Sequence, residues 1–142
     1  MNENTTLYLS VGYLDTEATG LSEICGADGA VEGDGLGCEG SRVFWAPEIT
    51  AAGKLDINFP MQNGMIRSSI EVSYESERGG SWEGNPEGMI DAYAVTNLRI
   101  GYESDDNWYV QAYAENLLDE FTWDGYNANG GILPSHFFGP MR

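Results

Sequence analysis

From residue 65 to residue 78 the chain changes character at every step. Ile66, Ser68, Ile70, Val72 and Tyr74 fall on one side, and Arg67, Ser69, Glu71, Ser73 and Glu75 on the other. A period of two sorts residues onto opposite faces of an extended strand, whereas a helix would scatter both sets around its axis. The same alternation recurs four times. In 5–16, Leu7, Leu9, Val11 and Tyr13 alternate with Tyr8, Ser10 and Gly12. In 46–59, Ile49, Ala51, Leu55 and Ile57 lie opposite Thr50, Lys54, Asp56 and Asn58. In 91–103, Ala94, Thr96, Leu98, Ile100 and Tyr102 lie opposite Tyr93, Val95, Asn97, Arg99 and Gly101. In 108–116, Val110, Ala112 and Ala114 lie opposite Tyr109, Gln111, Tyr113 and Glu115. The chain reads as all-β, an antiparallel up-and-down meander of about five long strands, with no crossover needed.

The breaks between these runs alternate in length. Long, Gly- and acid-rich stretches cover 17–45, 79–90 and 117–138, and short ones cover 60–64 and 104–107. Asn63-Gly64 is a strong hairpin signal, since both residues tolerate positive φ. The runs exceed the roughly 5–6 residues usual in soluble sheets. Long loops at one rim and short turns at the other are the pattern of an outer-membrane barrel. In such a wall Arg67, Glu71 and Glu75 cannot face lipid, where each Arg costs roughly 2–4 kcal/mol at mid-depth. Ile66, Ile70, Val72 and Tyr74 are therefore expected toward lipid, and Lys54, Asp56, Arg99, Gln111 and Glu115 inward. Phe59, Tyr102 and Trp108 fall beside the short turns, where an aromatic girdle belongs. A soluble all-β ligand- or glycan-binding module would alternate in the same way, with its apolar face turned to a core.

Charge narrows the partners. With 23 acidic and 6 basic residues the net charge is -17, so the chain lacks the clustered cations that nucleic acid or an anionic lipid surface demands. No run approaches the roughly 20 apolar residues of a membrane helix, but a membrane strand needs only about 9–11 alternating ones. The opening Met1-Asn2-Glu3-Asn4 lacks a basic-then-apolar leader. The expectation is either a cytosolic protein or an internal stretch of a longer one. Cys25 and Cys38 read as a loop disulfide in an oxidising compartment, or as two unrelated thiols. Their spacing matches no zinc motif.

No catalytic constellation is visible, so no enzymatic activity is expected and no cofactor or metal is implied. His136, the single histidine, reads as an exposed loop residue. The acidic loop 26–35 lacks the fixed ligand spacing of a calcium loop. Aromatics in the long breaks, Trp82, Phe121, Trp123, Tyr126 and Phe137, are the candidate ligand contacts, through ring stacking beside Asn and Asp; packing among the loops themselves would use them equally well.

Residues 95–103, Val-Thr-Asn-Leu-Arg-Ile-Gly-Tyr-Glu, a short polar turn, and then 108–120, a Trp-led strand closing in Asn116-Leu117-Leu118-Asp119, resemble the penultimate hairpin of TonB-dependent receptors. Gly139-Pro140-Met141-Arg142 resembles the opening of that family's last strand, although Met141 stands where Pro or Arg is more common. Ala46-Pro47-Glu48 and Ser73-Tyr74-Glu75-Ser76 resemble an earlier strand start and strand end. The resemblance runs from about residue 5 to 142. It implies a partial barrel domain over 1–142, a segment of a 22-stranded barrel with its final strand missing. It further implies an outer-membrane receptor of the Gram-negative type that takes up a scarce solute such as a ferric siderophore. Such a receptor contacts outer-membrane lipid and is energised by the TonB complex through a plug domain absent here.

Overall fold

A computed structural model describes residues 4–17, 19, 42–43, 45–79 and 88–121, and the backbone of 125–127 and 135–137. Nine strands occur among them: β1 Thr5–Tyr13, β2 Ile49–Met61, β3 Gly64–Glu75, β4 Arg78–Gly79, β5 Met89–Ile90, β6 Tyr93–Ser104, β7 Tyr109–Ala114, β8 Gly125–Asn127 and β9 Ser135–Phe137. Five form one antiparallel sheet in the order β1-β2-β3-β6-β7. Strands β1, β3 and β7 run one way, β2 and β6 the other.

The register carries each residue class across the whole sheet. Leu7, Leu55, Ile70, Leu98 and Ala114 form one row, and Thr5, Ile57, Ser68, Ile100 and Ala112 the next. Phe59, Ile66, Tyr102 and Val110 form a third. On the opposite face run Thr6, Asp56, Ser69, Arg99 and Tyr113, and beside them Asn58, Arg67, Gly101 and Gln111. A slip of one residue in any strand would exchange the faces, so the two-sided pattern itself fixes the pairing.

Two sequence expectations shift. The first tight turn is the pair Gln62-Asn63, with Met61 opposite Gly64, one residue earlier than Asn63-Gly64. Asn63 does not take a positive φ; Gly64 does, at 155°. Its missing Cβ is used for close approach, because a Cβ there would lie 2.2 Å from the Glu103 carbonyl oxygen and 2.8 Å from the Tyr102 hydroxyl. Strand β2 consequently runs through Pro60. The N–H that Pro60 lacks falls on the β1 side, beyond the last β1 pair at Thr5–Ile57, where no ladder bond is lost. The second turn closes from Asn107 N–H to the Ser104 carbonyl (3.2 Å), with Asn107 at φ 64°.

The long connections are more ordered than loops. Strand β3 ends at Glu75, and after a break β4 pairs with β5. The stretch 117–138, expected to be irregular, contains the β8–β9 ladder, with Tyr126 opposite His136 and Gly125 opposite Phe137. His136 therefore sits in a strand.

Ile90, 1 % exposed, is the one buried hydrophobic side chain among the described residues. It lies at the long-connection rim, where β4 and β5 meet, and not within the five-stranded sheet. That sheet is a single layer. On its apolar face Leu9 is 75 % exposed, Val11 78 % and Val110 60 %.

Candidate functional site

The candidate functional surface is the five-stranded sheet itself, with two faces and two rims. On the polar face four charges form two pairs. Lys54 Nζ lies 3.0 Å from Asp56 Oδ2 and 5.8 Å above the Tyr8 ring. Arg67 Nε donates to Glu103 Oε2 at 2.8 Å. Lys54 and Asp56 are two residues apart in β2, so a period of two puts them side by side. Arg67 and Glu103 meet diagonally across β3 and β6, because Arg67 stands opposite Gly101. The Arg67–Glu103 pair is well exposed and the Lys54–Asp56 pair half-buried; in water an exposed pair contributes little, typically about 0–1 kcal/mol.

At the short-turn rim, rings collect on the apolar face. Tyr102 and Trp108 have centroids 5.4 Å apart. Phe59 shares Tyr102's row and is 54 % exposed. The Tyr102 hydroxyl donates to the Asn63 carbonyl at 2.8 Å, and Asp105 N–H donates to the same oxygen at 3.1 Å. Tyr102 thus ties the first hairpin to the second. Its place beside a turn was legible in the sequence, but this bond was not, because it joins residues 39 positions apart.

At the opposite rim, Arg78 bonds Glu75 and lies 5.7 Å from the Tyr93 ring. Trp45, in the left-handed region at φ 56°, donates its N–H to the Gly79 carbonyl at 2.8 Å. Arg42 pairs with Glu48 at 3.1 Å, and Val43 N–H donates to Thr16 Oγ1 at 3.1 Å. Val43 is thereby fastened to the start of its own connection, and Trp45 to β4 in the next one. A bulky residue at positive φ is the only sequence-local oddity here, and nothing in the residues around Trp45 announces it.

The Asn116-Leu117-Leu118-Asp119 stretch is a local clasp. Asn116 and Asp119 take φ of 49° and 53°, a conformation that Asn and Asp tolerate better than other side-chain-bearing residues. Asn116 Nδ2 donates to the Glu120 carbonyl and Asn116 Oδ1 accepts from Glu120 N–H, both at 2.9 Å. Asn116 N–H donates to Asn97 Oδ1 at 3.0 Å. The clasp ends β7 and roots the third long connection on β6.

The proposed ligand-contact aromatics are only partly placed. Phe121 is 73 % exposed just beyond the clasp. Tyr126 and Phe137 belong to the two strands of one ladder, β8 and β9. Trp82, Trp123, the cysteines Cys25 and Cys38, and the acidic loop 26–35 lie outside the described residues. Among the described residues no group of His, Cys, Asp or Glu is arranged to hold a metal ion. No helix is long and apolar enough to cross a membrane.

No protein-family model and no curated protein sequence matches the chain. The fold is similar to the crystal structure of the ferric yersiniabactin uptake receptor FyuA from Yersinia pestis, with a TM-score of 0.62 and 17 % identity. The likeness covers 72 % of this chain and 16 % of the receptor, so the chain spans about one sixth of that protein's length. At this identity the likeness shows the fold: a stretch of antiparallel meander of the kind found in that receptor.

Proposed function

We propose that the chain is a length of barrel wall in an outer-membrane receptor, the C-terminal part of a 22-stranded, TonB-dependent barrel. In this reading 1–142 is one partial domain. Its apolar face meets outer-membrane lipid and its polar face lines the lumen. Its long connections stand outside the cell, where Phe121, Tyr126, Phe137, Trp82 and Trp123 are available to a scarce solute such as a ferric siderophore. Energy would come from the TonB complex acting through a plug domain.

The observation that carries the reading is a single-layer sheet of long strands whose apolar face is exposed. In water that face would need a second layer, as in a sandwich. In a bilayer it is the required surface. The height fits. From Ile49 to Phe59, at about 3.3 Å per residue, the apolar face of β2 extends about 33 Å. Tilted by the roughly 40° of membrane barrels, this is close to the apolar band of about 25 Å. Aromatics mark both ends, with Phe59, Tyr102 and Trp108 at one and Tyr13 and Tyr74 at the other. The likeness to a ferric-siderophore uptake receptor supports the same reading.

Fractionation tests it. The full-length receptor of which this chain would be part should sediment with the outer membrane and resist extraction by salt. Recovery as a soluble monomer with a dispersed, folded spectrum in detergent-free water would overturn the reading in favour of a soluble binding module.

A further inference from the structure

Six cationic side chains stand against 23 acidic ones in this chain. Five of the six are among the described residues, and four of those are held by a carboxylate: Arg42 by Glu48, Lys54 by Asp56, Arg67 by Glu103 and Arg78 by Glu75. Arg99 is the exception. It stands mid-sheet on the polar face, opposite Ser69 and Tyr113, with no ion pair among the described residues. Two carboxylates stand diagonal to it, Glu71 on β3, opposite Asn97, and Glu115, two residues beyond Tyr113, but neither forms an ion pair with it. With acids outnumbering cations almost four to one, a cation left without one is the departure from the pattern.

Arg99 lines a hollow on this face together with Arg67, Ser69, Asn58 and Gln111. Asp56 also lines it, with its Oδ2 paired to Lys54. Gly101 stands between Arg67 and Gln111 in its row, so the row has no side chain at that position. Apart from Asp56, the hollow presents donors: one guanidinium with no ion pair among the described residues, a second bound only through Nε, side-chain hydroxyls including that of Ser69, and two amides. A guanidinium fork matches a carboxylate bidentately, and hydroxyl and amide donors satisfy the remaining lone pairs.

We propose that Arg99 is the centre of a carboxylate-binding site on the polar face, completed by Ser69, Gln111 and the free edge of Arg67. The proposal deepens the transport reading and rests on it for the origin of the carboxylate. Facing a lumen, the site takes either a carboxylate of the passing solute or an Asp or Glu side chain of another segment lodged in the barrel.

The test uses the full 142-residue chain in uncharged maltoside micelles, titrated calorimetrically at low salt with two probes, citrate and a capped Gly-Glu-Gly tripeptide. Saturable binding is expected, weakened at least about tenfold by Arg99→Gln. Arg99→Lys keeps the charge but loses the fork and should weaken binding by about fivefold. Arg42→Gln, at the far rim, should leave it unchanged. Tighter binding of citrate assigns the site to solute; tighter binding of the tripeptide assigns it to a protein side chain. Absence of binding to both probes, or equal affinity in Arg99→Gln, overturns the proposal. The two readings fail separately. A chain that binds citrate through Arg99 yet stays folded and monomeric in water keeps the site and loses the barrel. A chain that ignores both probes while its full-length receptor sediments with the outer membrane does the reverse.

Discussion

Asn116 shows what one side chain contributes. Its backbone sits at φ 49°, and its amide closes two hydrogen bonds on Glu120. Ala at this position loses both bonds, at about 0.5–1.5 kcal/mol each, and adds roughly 1 kcal/mol of left-handed strain. Asp tolerates the φ and keeps the acceptor toward Glu120 N–H, losing only the donor. Urea midpoints in micelles should therefore rank Asn116→Ala lowest, Asn116→Asp between, and the native chain highest, with Ala down by about 2–4 kcal/mol; equal midpoints for Ala and Asp would refute the clasp. The box was visible in the sequence as an ending to a strand. Its bonds were not, since nothing in the spelling of residues 116–120 says that the chain curls back on itself within four positions. Gly64 carries the converse lesson. The Asn63-Gly64 pair signals a hairpin because both residues tolerate positive φ, whereas the glycine serves to admit Tyr102 and the Glu103 carbonyl. A sequence shows that a Cβ is missing, but not which neighbour requires its absence.

At the level of the strand, face assignment was the most legible property. Of the charges placed inward by alternation, Lys54, Asp56, Arg67, Glu71, Glu75 and Arg99 lie on one face in the observed register, and Glu115 falls beyond the last β7 pair. Strand ends were less legible. Strand β3 stops at Glu75 and not at residue 78: Ser76 N–H still reaches the Ile49 carbonyl, but Ile49 N–H donates to Ser76 Oγ at 3.0 Å instead of to backbone, and the chain then turns into the β4–β5 ladder. That ladder depends on partners some ten residues away, which alternation within one run cannot encode. Neighbouring positions on β3 give a sharp test of the faces. Ile70→Arg should lower stability in lipid vesicles by about 2–4 kcal/mol. Ser69→Arg, one residue away on the polar face, should change it by less than about 1 kcal/mol. Equal costs at the two positions, measured by denaturant titration in vesicles, would mean that lipid does not lie against the Ile70 face.

For the molecule as a whole, the rims differ in kind. Connections at one rim are the pair Gln62-Asn63 and the turn after Ser104; at the other they are long and carry the candidate contacts. The transport reading puts these rims in different compartments. An epitope inserted between Gly33 and Asp34 should be reached by antibody on intact cells, while one inserted between Gln62 and Asn63 should be reached only after permeabilisation; equal access would put both rims on one side. The main sheet has five strands, an odd number, so β1 and β7 point the same way. Copies of this sheet set side by side in a ring would meet at parallel seams, however many were used. An antiparallel closure needs an odd number of strands from a different stretch of polypeptide, so this sheet is a tile that cannot pave its own circle.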